Sequence, residues 1–258
     1  MAQVHPTAVV HPGARLHDSV EVGPYSVIGS KVTIGAGSHV GPHVVIDGRT
    51  TLGERNRVFP FAAVGGVPQD LKYAGEDTEL IIGHGNTLRE STTLSIGTVG
   101  GGGVTRVGDN NLFMAYSHVA HDCVVGNGCI VANGVALAGH VALEDFVILG
   151  GLSAVHQFTR VGKHAFVAGG AMVNMDVLPY CMVQGDRAEL SGLNVVGLQR
   201  HGFSEEQLGR VKEAYKLLFR SKLSLGEAVA RVTSELGGQP EIDYLLHFIA
   251  QSKRGLTR

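Results

Sequence analysis

Aliphatic residues recur at every sixth position from the start of the chain: Val4, Val10, Leu16, Val22, Ile28, Ile34, Val40, Ile46, Leu52, Val58 and Val64. The pattern resumes as Ile82, Leu88 and Leu94. After a shift it runs through Val107, Phe113, Val119, Val125, Val131, Leu137, Leu143, Leu149, Val155, Val161, Val167 and Val173. Two places before most of these residues stands a small or β-branched one (Ala8, Val20, Ser26, Val32, Thr50), and the place after is often glycine (Gly23, Gly29, Gly35). A period of six matches neither the 3.6 of a helix nor the 2 of a simple strand, so the repeat defines a solenoid. Each unit is a short strand and a turn, too small to bury its own aliphatic residue, which must face a shared interior column. Three units per turn make a triangular prism, with coils about 4.8 Å apart and residues eighteen apart in sequence stacked on one another.

Two segments interrupt the period, near residues 66–79 and 97–105. Loops that leave a rigid scaffold are where binding residues collect. The Gly100–Gly103 run lacks the lysine and serine or threonine of a phosphate loop and reads as a flexible connection. From about residue 186 the period becomes helical. Ser204-Glu205-Glu206-Gln207 and Ser224-Leu225-Gly226-Glu227 have the spacing of capping boxes, and Leu208, Val211, Tyr215 and Leu218 trace one helix face. A further helix begins after Pro240 and carries Leu245, Leu246 and Ile249. The expected organisation is a mainly β solenoid over 1–185 and a helical domain over 186–258 that covers the open end of the last coil.

Composition narrows the function classes. There are 37 glycines, no tryptophan and 6% aromatic residues, as suits columns of Val, Ile and Leu. A net charge of −2 gives no basis for nucleic-acid binding. Without a signal peptide or a long apolar run, the chain reads as cytoplasmic, with no stable membrane insertion. Cys123, Cys129 and Cys181 form neither a disulfide framework nor a CxxC metal site, and packing suffices for them. Lys212, Lys216, Arg220, Lys222 and Arg231 give the helices a mildly basic surface.

Histidines become dense between residues 113 and 158, at His118, His121, His140 and His156. Stacking by eighteen sets residue 121 over 139 and 157, so His121, His140 and His156 fall near one corner of consecutive coils, with Gln157 among them. Such a cluster is a hydrogen-bonded structural set, a metal site or a general base with accessory groups, and spacing alone does not choose. Asp122 beside His121 suits a carboxylate that fixes the imidazole tautomer. Neighbours on a strand face opposite ways, however, so its partner could equally lie on another coil or subunit.

The solenoid, the insertion PQDLKY, the stretches SHVAHDCVVGNGCIVANGVALAGHV and GGLSAVHQFTRVG, and the ending GLNVVGLQRHGFSEEQL together resemble the UDP-N-acetylglucosamine acyltransferases nearly end to end. That resemblance implies a left-handed parallel β-helix with a C-terminal helical domain, assembled as a homotrimer with active sites between subunits. It further implies transfer of an (R)-3-hydroxyacyl group from acyl carrier protein to the sugar 3-hydroxyl of UDP-N-acetylglucosamine, the first step of lipid A biosynthesis. No cofactor or metal is implied. Carried over by position, His121 is the general base, Asp122 its support and the Gly139 N–H an oxyanion donor. Asp70, Lys72, His118, His140, His156, Gln157, Asn194 and Arg200 contact substrate, and Gly169 limits acyl length, its lack of a side chain implying a long donor. Arg187, Val196 and His201 depart from the family pattern and leave nucleotide affinity and the choice between the sugar and its 3-amino analogue open. Rival readings are the later N-acyltransferase of the pathway, whose N-terminal uridine-binding domain has no counterpart before repeats that start at Val4, a zinc-dependent γ-type carbonic anhydrase, and a non-catalytic scaffold.

Overall fold

In the computed structural model, which describes residues 1–258, the chain winds into a prism whose faces are sheets of eleven, nine and eight strands. Most strands are only two residues long, because a six-residue unit must also turn a corner. Coil stacks on coil in the register expected from the repeat, with Val9 paired to Val27 and Val27 to Val45. The every-sixth aliphatics point inward; Ile28, Val40 and Ile46 are fully buried. Burying each such side chain stabilises by about 1.5–3 kcal/mol. Most of the small residues two places earlier are buried too, and turn carbonyls satisfy some of the polar ones: the Ser26 hydroxyl donates to Gly41 O at 2.7 Å and that of Ser38 to Gly53 O at 2.9 Å, whereas the buried hydroxyls of Ser117 and Thr159 have no partner.

The two interruptions leave the prism and return without disturbing the stack. Across the first, Arg57 pairs with Thr87 and Ala63 with Thr93, a step of thirty instead of eighteen. Across the second, Thr87 pairs with Leu112 and Thr93 with His118, a step of twenty-five. Ion pairs pin the first loop to its neighbouring coils, Lys31 to Asp77 at 2.8 Å and Arg49 to Glu79 at 3.3 Å. The second loop, expected to be a flexible connection, forms a capped 3₁₀ turn over Val99–Gly101. Its contacts with Asp122 supply the reason.

Many corner residues have positive φ although they are not glycine, a conformation that costs an L-residue roughly 1 kcal/mol. Three columns result: Tyr25, His43 and Phe61; Asp122, His140 and Phe158; and Phe146, His164 and Tyr180. Ring stacking recovers part of the cost, with Tyr25–His43 and His43–Phe61 centroids 5.1 and 5.2 Å apart.

At the C-terminal end, strand Cys181–Gln184 pairs parallel with Phe166–Val167 and antiparallel with Glu189–Leu193. Four helices follow: α1 (Val195–Arg200), α2 (Glu205–Phe219), α3 (Leu225–Leu236) and α4 (Pro240–Gln251). The capping boxes at Ser204 and Ser224 are both formed. Helix α2 buries Leu208, Val211, Ala214, Leu217 and Leu218, while Tyr215 is only half-buried. A second core joins these helices to Leu178, Tyr180 and Cys181 of the last coil. The tail is tied down as well: Ser252 Oγ donates to Asp176 at 2.7 Å and Thr257 N to Asp176 O at 2.8 Å. At the opposite end Val4 and Val9 remain exposed. No helix is long and apolar enough to cross a membrane.

Candidate active site

His121 and Asp122 meet although they are adjacent in sequence. Asp122 has φ of 60° at the corner, which breaks strand alternation and turns its carboxylate back toward its neighbour. His121 Nδ1 lies 2.7 Å from Asp122 Oδ2. The carboxylate is fully buried and the imidazole largely so. His140 stands one coil along, its ring edge-on to His121 at 5.2 Å and stacked on Phe158 at 4.3 Å. A side chain at Gly139 would displace the His121 ring, since a Cβ there would lie 2.6–2.7 Å from Cε1 and Nε2. The Gly139 N–H donates to no group of the chain. An unpartnered imidazole nitrogen and an unpartnered backbone donor thus lie close together.

The second loop closes over the carboxylate. Thr98 N donates to Asp122 Oδ1 at 2.8 Å and Thr98 Oγ1 to Oδ2 at 2.6 Å. Asp122 N donates to Thr105 Oγ1 at 2.8 Å. His121, Asp122 and His140 present atoms that could ligate a metal within 4.8 Å of one another. Both Asp122 oxygens are engaged by Thr98 and His121, while His121 Nε2 and the His140 ring nitrogens have no hydrogen-bond partner within the chain.

Beside the pair a cavity of about 760 Å³ runs along the nine-stranded face. Its floor follows the register His118, Ala136, Ala154, Met172, a row about 14 Å long at 4.8 Å per coil. Small apolar side chains leave room for a narrow apolar ligand, and Arg187 and Arg254 also line the cavity. Burial holds the His118 imidazole below its ordinary value, as it does that of His140, so both are neutral near pH 7 and able to donate or accept.

The expected residues do not all converge within one chain. His121, Asp122, Gly139 and His140 form one cluster, and the charge of Asp70 reaches His140 from the first loop. Asp70 also accepts from Lys72 N at 2.9 Å, shaping the loop, while the Lys72 side chain is exposed. His156, expected at the same corner as His121, instead lines the cavity with His118, its Nδ1 bonded to Gln157 O at 3.1 Å; the Gln157 side chain is exposed. Gly169 has an ordinary φ, and a side chain there would meet only Gly151 O, at 3.2 Å. Its backbone therefore does not require glycine. Asn194 is buried as the cap of α1, its amide donating to His164 O at 2.9 Å and accepting from Gly197 N at 3.1 Å, with Arg200 exposed at the far end of that helix. Thr98, Thr105 and Met172 were missed by sequence reasoning. Only the breaks in the six-residue period hinted that Thr98 and Thr105 flank an insertion.

A hexapeptide solenoid with a buried histidine–aspartate pair beside an apolar groove defines a class of acyl-group transferases, and the comparisons agree. Residues 13–48 and 105–139 match the bacterial transferase hexapeptide repeat, and 176–257 match the second domain of UDP-N-acetylglucosamine O-acyltransferase. The chain is 71% identical over its whole length to the full acyl-[acyl-carrier-protein]–UDP-N-acetylglucosamine O-acyltransferase of Myxococcus xanthus, and 59% identical to that of Anaeromyxobacter dehalogenans over 99% of both chains. The crystal structure of the Moraxella catarrhalis UDP-N-acetylglucosamine O-acyltransferase superposes with a TM-score of 0.96 at 43% identity, over 99% of both chains. The chain therefore belongs to the acyl-[acyl-carrier-protein]–UDP-N-acetylglucosamine O-acyltransferase family, and its coil is the family's left-handed parallel β-helix.

Proposed function

We propose that the chain transfers an (R)-3-hydroxyacyl group from acyl carrier protein to the 3-hydroxyl of UDP-N-acetylglucosamine, the first step of lipid A biosynthesis, with His121 as general base. His121 Nε2 takes the hydroxyl proton as the sugar oxygen attacks the thioester carbonyl. The carbonyl oxygen, now an oxyanion, receives the Gly139 N–H. Collapse expels the carrier thiolate, which recovers the proton from the imidazolium. Asp122 supports the charge that His121 gains. The observation that carries this reading is the 2.7 Å contact of His121 Nδ1 with a buried carboxylate while its other nitrogen has no partner within the chain and lies close to Gly139, whose N–H is likewise unpartnered.

The family membership favours oxygen over nitrogen as the acceptor. Asp70, Lys72, His118, His140, His156 and Gln157 bind sugar nucleotide or acyl chain from the same chain. Asn194 and Arg200 contact substrate from α1 of the helical domain. A homotrimer is supported by the exposed apolar corner residues Tyr25, Phe61, Tyr116 and Leu152. The groove takes the acyl chain, and the lack of a side chain at Gly169 fits a long one. Both substrates are met in the cytoplasm. An assay with UDP-N-acetylglucosamine, its 3-amino analogue and hydroxyacyl carrier proteins of graded length tests the whole reading. Ester formation at the 3-hydroxyl is expected, and exclusive amide formation on the analogue would overturn the acceptor.

A further inference from the structure

The 97–105 loop does more than connect two coils. Its Thr98 spends both of its donors on one carboxylate, with N–H to Asp122 Oδ1 at 2.8 Å and O–H to Oδ2 at 2.6 Å. The direction of the second bond follows from a third: Gly101 N donates to Thr98 Oγ1 at 3.2 Å, so the threonine hydrogen is directed to Asp122. A backbone N–H can only donate, which makes Oδ1 an acceptor, and the hydroxyl makes Oδ2 one as well. A carboxylate held from both sides as an acceptor leaves His121 Nδ1 no role at 2.7 Å except donor. The proton is thereby assigned to Nδ1, and Nε2 keeps its lone pair. Gly101 adds a steric condition, since a Cβ there would sit 2.0–2.3 Å from the Asp122 carboxyl atoms. Only a residue without a side chain lets the loop come down on the aspartate.

We propose that Thr98 is a positioning residue for His121, its loop acting as a clamp that holds Asp122 as a pure acceptor and so locks the imidazole in the Nδ1–H tautomer with Nε2 free as base. This rests on the reading of His121 as the general base. Thr98→Val keeps the shape and the backbone N–H and removes only the hydroxyl. The expected result is a kcat lower by about ten- to a hundredfold, the loss of one charge-assisted hydrogen bond. KM for UDP-N-acetylglucosamine is expected to stay within twofold, and Thr98→Ser should restore most of the rate. Gly101→Ala, which lifts the loop, is expected to lose at least as much as Thr98→Val.

Nitrogen-15 NMR of the His121 ring reads the clamp without turnover. The wild-type ring should show a protonated Nδ1 and a bare Nε2 at neutral pH, and Thr98→Val a mixture of tautomers. If the wild-type protein acylated no UDP-sugar while the ring still showed this difference, the clamp would stand and the proposed activity would fall. A Thr98→Val protein with unchanged rate and unchanged ring signals would overturn the clamp and leave the activity standing. So would a rate loss that Thr98→Ser does not repair, because packing rather than the hydroxyl would then be responsible.

Discussion

Two corners of the prism carry nearly the same ladder and do different things. In the N-terminal coils His43 lies between Tyr25 and Phe61, at 5.1 and 5.2 Å, on an exposed edge. In the C-terminal coils His140 lies between Asp122 and Phe158 at corner positions with the same left-handed backbone, and His121 meets it edge-on. The repeat supplies the position in both cases. What separates them is a carboxylate in place of a tyrosine one coil below, and seven additional residues that fold over it. His43 only packs in its stack, whereas His121 contacts a buried, fully bonded carboxylate, the setting proposed here for a base.

The strongest way to break that comparison is to delete each imidazole. His121→Ala should lower kcat for acyl transfer by about 10²–10⁴, the usual contribution of a positioned proton acceptor, while His43→Ala stays within twofold. Equal losses at both would show that the ladders are alike after all. Asp122→Asn should cost about 10- to 100-fold, since the amide cannot accept from Thr98 and His121 as the carboxylate does, with the fold intact by circular dichroism. The groove beside the C-terminal ladder gives a smaller, directional effect. Gly169→Met should shift preference severalfold toward shorter hydroxyacyl donors and Met172→Ala toward longer ones in competition assays, and an unchanged donor profile for both variants would remove the length-limiting role.

The third column sharpens the comparison through pH. His164 is buried against Phe146 and His201, its Nδ1 lacks a partner, and burial pulls its pKa down to about 4. The folded protein therefore binds this proton less readily than the unfolded chain, whose value is about 6.5. The neutral ring's contribution is complete above about pH 6.5 and is lost as pH falls toward 4, by at most about 3 kcal/mol. His164→Phe, with a residue that Phe61, Phe146 and Phe158 show to be tolerated at such corners, should flatten that part of the stability curve in denaturant titrations.

Much of this was legible from residue order because the solenoid converts sequence separation into distance. The eighteen-residue stack made His121, Gly139 and His140 neighbours on paper, and the structure has them touching. Three features escaped for physical reasons. Alternation along a strand argued against a His121–Asp122 contact, and a left-handed corner reversed it. The position of Thr98 depends on the path of an aperiodic loop, which no period encodes. His156 was placed by counting alone, whereas one residue of offset on a strand sends a side chain to another face. The antiparallel return Glu189–Leu193 and the short α1 lie where the six-residue period has ended and the helical one is too brief to register.

The unequal ends of the prism have a consequence for growth. A coil with bare edges is a template on which another coil can dock, and a stack of such coils with both ends bare has no natural limit. Here the edge of the last coil is covered by helices and a tethered tail, so no further coil can dock on that end. Stripping the helices would uncover that edge and leave it open to pairing with a strand of another molecule.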